Sequence, residues 1–158
     1  IKQELPTLCR RFFGIQPVPE RTYIMGLSMG GYGAMKCAFT APQQYAGCAG
    51  FSSVAEIQAE LPQLCRWHED QAIFPHGIVP PQDDLFDLAE KFRDGTCPMP
   101  RLFLACGQQD SLYPANLHLR DTLQAMNWPL TWYEAPGDHN WFFWNDALRR
   151  AMKELLEN

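Results

Sequence analysis

The sequence predicts an α/β fold with a parallel sheet, and three observations support this prediction. Short apolar runs that suit buried strands alternate with segments whose apolar residues recur at helical spacing. Polar residues follow the strands directly, where reactive groups collect in an open parallel sheet. The 158 residues, 46% of them hydrophobic, are enough for a sizeable core. We therefore expect residues 1–158 to form a single domain.

The first third of the chain predicts helix, strand, helix and strand. Residues 2–13 place apolar side chains at helical spacing, with Pro6 in or near the first turn. Residues 22–25 (TYIM) are β-branched, aromatic and apolar, as in a buried strand. Helix-compatible residues then run from 31 to 41 and stop at a proline. A small-residue apolar run over 45–51 predicts the second strand.

The remainder begins with an irregular, proline-rich segment, which we interpret as a lid-like insertion over residues 54–100. Within it, an apolar stripe from Leu85 to Phe92 predicts a helix capped by Asp83 or Asp84. Two further strands are expected at 101–106 and 130–135, and two further helices at 115–126 and 141–156. The last helix is expected to bury Trp144, Leu148, Ala151, Met152 and Leu155.

A serine lies between glycines directly after the first strand, in the sequence Gly26-Leu27-Ser28-Met29-Gly30. A strand, a glycine-flanked serine and a helix form the context of a nucleophile elbow. In so tight a turn, side chains at positions 26 and 30 would collide with neighbouring backbone, whereas Ser28 would project outward. A linker serine in a glycine-rich loop is the alternative interpretation.

An acid and a histidine follow the later strands, Asp110 after the third and His139 after the fourth. Serine, acid and histidine in this order are typical of a catalytic triad on an α/β sheet. Neutral imidazole can accept the serine proton near pH 7, and a carboxylate can orient the ring. Asp138 and Glu56 remain alternative acids.

The other histidines have structural interpretations. His68 and His76 lie in the insertion, where surface or lid packing is the expected role. His118 flanks the apolar stripe of its helix and is expected to face solvent.

Composition narrows the classes of partner. A net charge of −5 argues against nucleic acid, and no apolar stretch is long enough to span a membrane. The six cysteines lack zinc-site spacing, so we expect no metal, and they suggest a reducing, cytoplasmic location. The chain starts at Ile1 without an initiator methionine, and we expect its beginning to lie elsewhere.

Three blocks, TYIMGLSMGGYGAMK, LFLACGQQDSLYPANLHLRDTL and WYEAPGDHNWFFWNDAL, resemble the esterase D-like and tributyrin-esterase-like branch of the α/β-hydrolases. That branch is related to acetylxylan and feruloyl esterases. The resemblance maps the nucleophile onto Ser28, the acid onto Asp110 and the base onto His139. It implies a partial α/β-hydrolase fold, namely the parallel strands of the C-terminal half with flanking helices and an irregular helical insertion.

The resemblance also implies an activity. We expect a serine carboxylesterase that hydrolyses short-chain acyl esters, such as acetylated or feruloylated sugars, through an acyl-enzyme and without a cofactor. Acyl transfer on the same fold is one alternative, and a non-catalytic fragment is another. Tyr32, Tyr113 and Trp141 lie close in sequence to the triad and could line the substrate pocket.

One departure from the family pattern concerns the residues before Ser28. Family members carry several strands before the elbow, and the loop after the third supplies one oxyanion-hole N–H. Residues 1–27 contain only a predicted helix, a connector and one strand. The Met29 N–H would thus be one of two donors. The apolar edge at residues 22–25 is expected to self-associate or to pair with a missing N-terminal half.

Overall fold

A computed structural model describes residues 1–64 and 72–157, so the prediction for His68 lies outside the described residues. The described strands form one parallel sheet in the order β1-β2-β3-β4, which follows the chain. The strands are β1 (Tyr23–Leu27), β2 (Gly47–Phe51), β3 (Arg101–Gly107) and β4 (Leu130–Ala135). The predicted parallel α/β fold is confirmed, and the first strand extends to the residue before Ser28.

Helices cover both faces of this sheet. The α-helices of the described residues are α1 (Glu4–Phe13), α2 (Met29–Thr40), α3 (Ile57–Leu64), α4 (Leu85–Glu90), α5 (Tyr113–Ala125) and α6 (Trp141–Glu157), of which α2, α4 and α5 pack on one face and α6 on the other. Alternate residues of a strand point to opposite faces. Leu102 and Leu104 of β3 accordingly join the core formed with α2, α4 and α5, whereas Phe103 and Ala105 join the core formed with α6.

The segment between β2 and β3 is anchored to the sheet layer through α4. Asp84 caps this helix, since its carboxylate accepts the N–H groups of Phe86 and Asp87. The expected stripe, Leu85, Leu88, Ala89 and Phe92, is buried. An ion pair joins Lys36 of α2 to Asp83. That the whole segment acts as a lid stays a prediction.

The last helix corrects one prediction about burial. Met152 is 45% exposed and Leu148 is only partly buried. The buried face of α6 instead consists of Phe143, Trp144, Ala147, Ala151 and Leu155. At 3.6 residues per turn the observed face is centred between Ala147 and Ala151, about 50° from the centre of the predicted set, which places positions 148 and 152 at its margin.

The first helix packs differently from the others. None of the residues of α1, all of which the structure describes, is buried. Leu5, Leu8 and Phe12 of the predicted stripe are exposed. Pro6 lies in the first turn, where a missing N–H costs no intrahelical hydrogen bond. Within the described residues, no helix is both long enough and apolar enough to cross a lipid bilayer.

Candidate active site

Ser28 occupies a sharp turn between β1 and α2. Its φ of 54° and ψ of −125° are unusual for a residue with a side chain. The turn is held by its own backbone: the Ser28 N–H donates to the Phe51 carbonyl at 2.8 Å, and the Ser28 carbonyl accepts the Val54 N–H at 3.2 Å. The nucleophile turn is therefore fastened to the loop that follows β2.

The two glycines beside Ser28 have different roles. A Cβ at Gly26 would lie 2.1 Å from the Gly30 carbonyl oxygen, so position 26 must be glycine. Apart from its chain neighbours and the backbone of its own helix, no atom of the described residues would lie within 4 Å of a Cβ at Gly30. The predicted collision is confirmed at position 26 and is wrong at position 30, because the first turn of α2 leaves that side open.

Three side chains from separate loops form one hydrogen-bonded path. The Ser28 Oγ lies 3.0 Å from Nε2 of His139, and Nδ1 of His139 lies 2.9 Å from Oδ2 of Asp110. Because an ionised carboxylate can only accept, Nδ1 carries the proton and Nε2 is free to accept the serine O–H. The structure thus brings together Ser28, His139 and Asp110, as the strand order required.

Burial differs along this path. Asp110 is 3% exposed, and its second oxygen accepts the Leu112 N–H at 2.9 Å. The His139 side chain is 32% exposed. The carboxylate is therefore fixed inside the protein by two hydrogen bonds, while the imidazole stands at the surface where a substrate could reach it.

The alternative acids lie elsewhere. Glu56 Oε1 is 2.6 Å from Nδ1 of His118, whose side chain is mostly exposed, as expected. The Asp138 carboxylate accepts the backbone N–H of His139 at 2.7 Å, as adjacent residues in a turn often do. His76 is exposed on the short turn Pro75–Gly77.

The candidate pocket residues divide into two groups. Tyr32 is buried and its hydroxyl donates to the Asp83 carbonyl, while the Tyr113 hydroxyl donates to Glu134 at 2.8 Å. Both hydroxyls are engaged in internal packing. Trp141 is largely exposed and contacts Trp144 edge-on, with the ring centroids 5.5 Å apart. Of the three, Trp141 presents an open aromatic surface beside the triad.

Met29 is the first residue of α2. The first N–H groups of a helix have no intrahelical acceptor, and they carry the positive end of the helix dipole. The Met29 N–H directly follows Ser28, so it is available to an anion formed at the serine.

A buried asparagine on α5, which the sequence pattern did not single out, holds the loop after β2. Asn116, wholly buried, accepts the Ser53 N–H at 3.2 Å and donates to the carbonyls of Ser53 and Leu112 at 2.8 Å each. Asn116 therefore ties the β2 loop to the first turn after Asp110. A Ser-Ser pair directly after a buried strand was the available signal in the sequence.

A second buried carboxyl lies near the acid of the path. Burial, together with the negative charges of Glu56 and Asp110, raises the pKa of Glu60 to about 7, although the Glu56 N–H donates to it at 2.9 Å. Burial and the charge of Asp110 also raise the pKa of Cys106 to about 12, which keeps that thiol neutral.

Within residues 1–64 and 72–157, no cluster of three or more potential ligands could hold a metal ion.

Known proteins are similar to this chain over part of their own length. The chain is 27% identical to an acetyl esterase of Caldicellulosiruptor saccharolyticus, over 97% of this chain and 61% of that protein. It superimposes with a TM-score of 0.85 on the fluorophosphonate-binding serine hydrolase F of Staphylococcus aureus, with 29% identity, over 98% of this chain and 62% of that one.

A third relative is the S-formylglutathione hydrolase FrmB of Staphylococcus aureus. Its TM-score is 0.79 at 29% identity, over 95% of this chain and 57% of that one. The chain therefore spans about three fifths of the length of these relatives. The model of the family described as "Putative esterase" matches residues 1–95, which is more than half of the chain. The chain belongs to this esterase family, within the esterase D-like branch of the α/β-hydrolases.

Proposed function

We propose that this protein is a serine carboxylesterase that hydrolyses short-chain acyl esters through an acyl-enzyme. The observation that carries the proposal is the continuous path from Ser28 Oγ through His139 to Asp110, at 3.0 Å and 2.9 Å. A serine hydroxyl is a weak nucleophile at neutral pH, and an adjacent base activates it. The hydrogen-bonded path supports His139 as that base and Asp110 as the carboxylate that orients it.

The chemistry follows from the hydrogen bonds. His139 Nε2 takes the serine proton while Oγ forms a bond to the ester carbonyl carbon, and the carbonyl oxygen becomes an oxyanion. The oxyanion collapses, the carbon–oxygen bond to the alcohol breaks, and the alcohol leaves with the proton from His139. Water then attacks the acyl-enzyme by the same steps, which releases the acid and restores Ser28.

The oxyanion needs donors that are already in place. In this proposal the Met29 N–H is one of them. A second N–H would come from a segment outside the 158 residues, and the open β1 edge and the greater length of the relatives support this part of the proposal. One missing donor costs on the order of 10²–10³-fold in rate.

The substrate class is drawn from the relatives and the site surface. One relative, which matches 97% of this chain, is an acetyl esterase, and this supports a short acyl group. The exposed ring of Trp141 offers an apolar surface for the alcohol, for which acetylated or feruloylated sugars are candidates. Hydrolysis of p-nitrophenyl acetate should exceed that of the octanoate ester. Product ratios measured with added alcohols separate hydrolysis from acyl transfer.

Labelling with a fluorophosphonate probe tests the nucleophile. The wild type should be labelled, and Ser28→Ala should not, because the phosphonate forms its bond to Oγ. Ser111→Ala is the matched control, since Ser111 is an exposed serine beside Asp110 and should leave labelling unchanged. Unlabelled wild type, or labelled Ser28→Ala, would contradict the assignment. An unlabelled wild type is the result that the alternative of a non-catalytic fragment predicts.

A further inference from the structure

We propose that Trp144 is a positioning residue for His139 and that Ser52 holds it in place. Trp144 lies in the first turn of α6 and is 7% exposed. Its indole N–H donates to Ser52 Oγ at 3.0 Å. Its ring meets the His139 imidazole at 85°, with the centroids 4.8 Å apart. This inference rests on the proposed function and adds a second constraint on the base.

The imidazole needs such a constraint because its two hydrogen bonds leave one motion free. Asp110 and Ser28 bind the two ring nitrogens and define a line across the ring. Rotation about that line changes neither distance much, yet it turns the lone pair of Nε2 away from the direction of Ser28 Oγ. A perpendicular aromatic ring at van der Waals distance blocks this rotation on one side.

Ser52 is a rigid anchor for the indole. It is wholly buried, and its φ of 45° is left-handed, which a residue with a side chain adopts only when its surroundings impose it. Its N–H donates to the Ala105 carbonyl of β3 at 2.7 Å. Trp144 is thereby attached to the centre of the sheet, in addition to the loop that carries His139, where its backbone N–H donates to the Asn140 carbonyl at 3.2 Å.

The constraint matters most after the first half of the reaction. Once Ser28 is acylated, its oxygen no longer donates to Nε2, and His139 loses one of its two hydrogen bonds. Asp110 and Trp144 then remain to keep the ring aligned for the incoming water. We therefore expect loss of the indole anchor to lower kcat, and to lower KM with it, because slower breakdown lets the acyl-enzyme accumulate.

The test compares two equivalent deletions. Trp144→Phe keeps an aromatic ring and removes the N–H donor. Trp128→Phe is the matched control, because Trp128 is also buried and its indole N–H donates to the Pro100 carbonyl at 2.9 Å, in the core formed with Phe39 and Phe92. Displacement of a catalytic group by about 1 Å costs on the order of 10²-fold. We expect Trp144→Phe to lower kcat by roughly 10–100-fold and to lower the labelling rate of Ser28, which reports only the first half of the reaction, by less. Trp128→Phe should lower either rate by less than about threefold.

A spectroscopic measurement keeps the two proposals separable. The ¹⁵N shifts of His139 report which ring nitrogen carries the proton, with His139→Ala to assign the signals. Wild type and Trp128→Phe should show the Nδ1–H form, and Trp144→Phe and Ser52→Ala a mixture. If the wild type is labelled but Trp144→Phe and Trp128→Phe have equal kcat, the positioning role is overturned, while the assignment of Ser28 as nucleophile stands. If the wild type is not labelled, the proposed esterase function is wrong. Unchanged ¹⁵N shifts in Trp144→Phe would overturn the positioning role, whatever the labelling result.

Discussion

The carboxyl edge of the sheet and the α1–β1 side of the molecule are built in opposite ways. At the carboxyl edge, buried hydrogen bonds tie each loop to the next, through the Ser28 backbone, the Ser53–Asn116 pair and the Ser52–Trp144 contact. On the α1–β1 side, apolar side chains lie in solvent, and Phe12 is 67% exposed. The chain therefore specifies its reactive geometry internally and leaves one apolar side uncovered.

This difference separates the hydrogen-bonded path of the candidate site from the surface that is left for association. The path from serine to carboxylate depends on loops that follow β1, β3 and β4, all braced by the loop after β2. The uncovered side includes an open groove of about 530 Å³ between α1 and the β1 edge, lined in part by Leu5, Cys9, Ile15 and Tyr23. Exposed apolar surface of this kind is typical of interaction sites.

The largest expected effect tests the carboxyl edge. Asp110→Asn should lower the rate of ester hydrolysis by about 10³–10⁴-fold, because an amide N–H facing Nδ1 favours the tautomer with a proton on Nε2, which cannot accept from Ser28. The side-chain oxygen of asparagine can still accept the Leu112 N–H, so the fold should persist. Steady-state kinetics and urea unfolding measure the two effects.

Glu56→Gln is the control for that variant. Glu56 pairs with His118 and not with His139, so its loss should change the rate by less than about threefold, as for other surface substitutions. A rate loss in Glu56→Gln comparable to that of Asp110→Asn would place the acid of the triad elsewhere.

The next effect tests how closely the β2 loop is packed. A Cβ at Gly31 would lie 2.2 Å from Ser53 Oγ and 3.2 Å from Ser53 Cα, so Gly31→Ala should destabilise the protein by about 1–3 kcal/mol. Gly33→Ala is the matched control in the same helix. With no atom within 4 Å of its Cβ among the described residues, it should stabilise α2 by roughly 0.5–1 kcal/mol. Equal effects of the two variants in urea unfolding would mean that the loop yields freely.

Glu60 gives the carboxyl edge a pH dependence. Its folded-state pKa of about 7 lies above the ordinary value of about 4.3 for the unfolded chain. Its contribution to stability is therefore fully present below about pH 4.3 and is lost as the pH rises through 7. Between pH 5 and 8 the free energy of unfolding of the wild type should fall by about 1–2 kcal/mol more than that of Glu60→Gln.

Glu4→Gln provides the comparison on the other side of the molecule. Glu4 is exposed in the first turn of α1, and its replacement should leave the pH slope of the wild type unchanged. Parallel slopes for wild type and Glu60→Gln would show that Glu60 does not titrate in this range.

The sequence predicts the parts of the site that depend on local pattern. The elbow follows from a strand, a glycine-flanked serine and a helix, and the positions of Asp110 and His139 follow from the rule that parallel strands end at one edge. Residues whose role depends on distant contacts were missed or misplaced. Trp144 was predicted only as a buried helix residue, whereas its indole N–H reaches Ser52, 92 positions away.

The errors have the same origin. Periodicity identifies a buried face of α6 but does not resolve its margin, so Met152 was placed inside. The prediction for Gly30 assumed that both glycines of the elbow lie against backbone. In the structure the Gly30 carbonyl lies against position 26, whereas position 30 itself faces open space. For α1 the apolar stripe was recognised, but a stripe does not reveal whether this chain supplies the surface that covers it.

The smallest effect concerns that uncovered side. We propose that the α1–β1 surface mediates association, and Phe12→Ser should weaken self-association about three- to tenfold, because part of a phenylalanine side chain is no longer buried on contact. Serine and phenylalanine have similar helix propensities, so the free energy of unfolding should change little. Phe142→Ser is the control, since Phe142 is 92% exposed but lies beyond the carboxyl end of β4. Sedimentation velocity over a concentration series measures both. A monomeric wild type would contradict the proposed association, and equal weakening by the two variants would show that exposure alone, and not this surface, governs it.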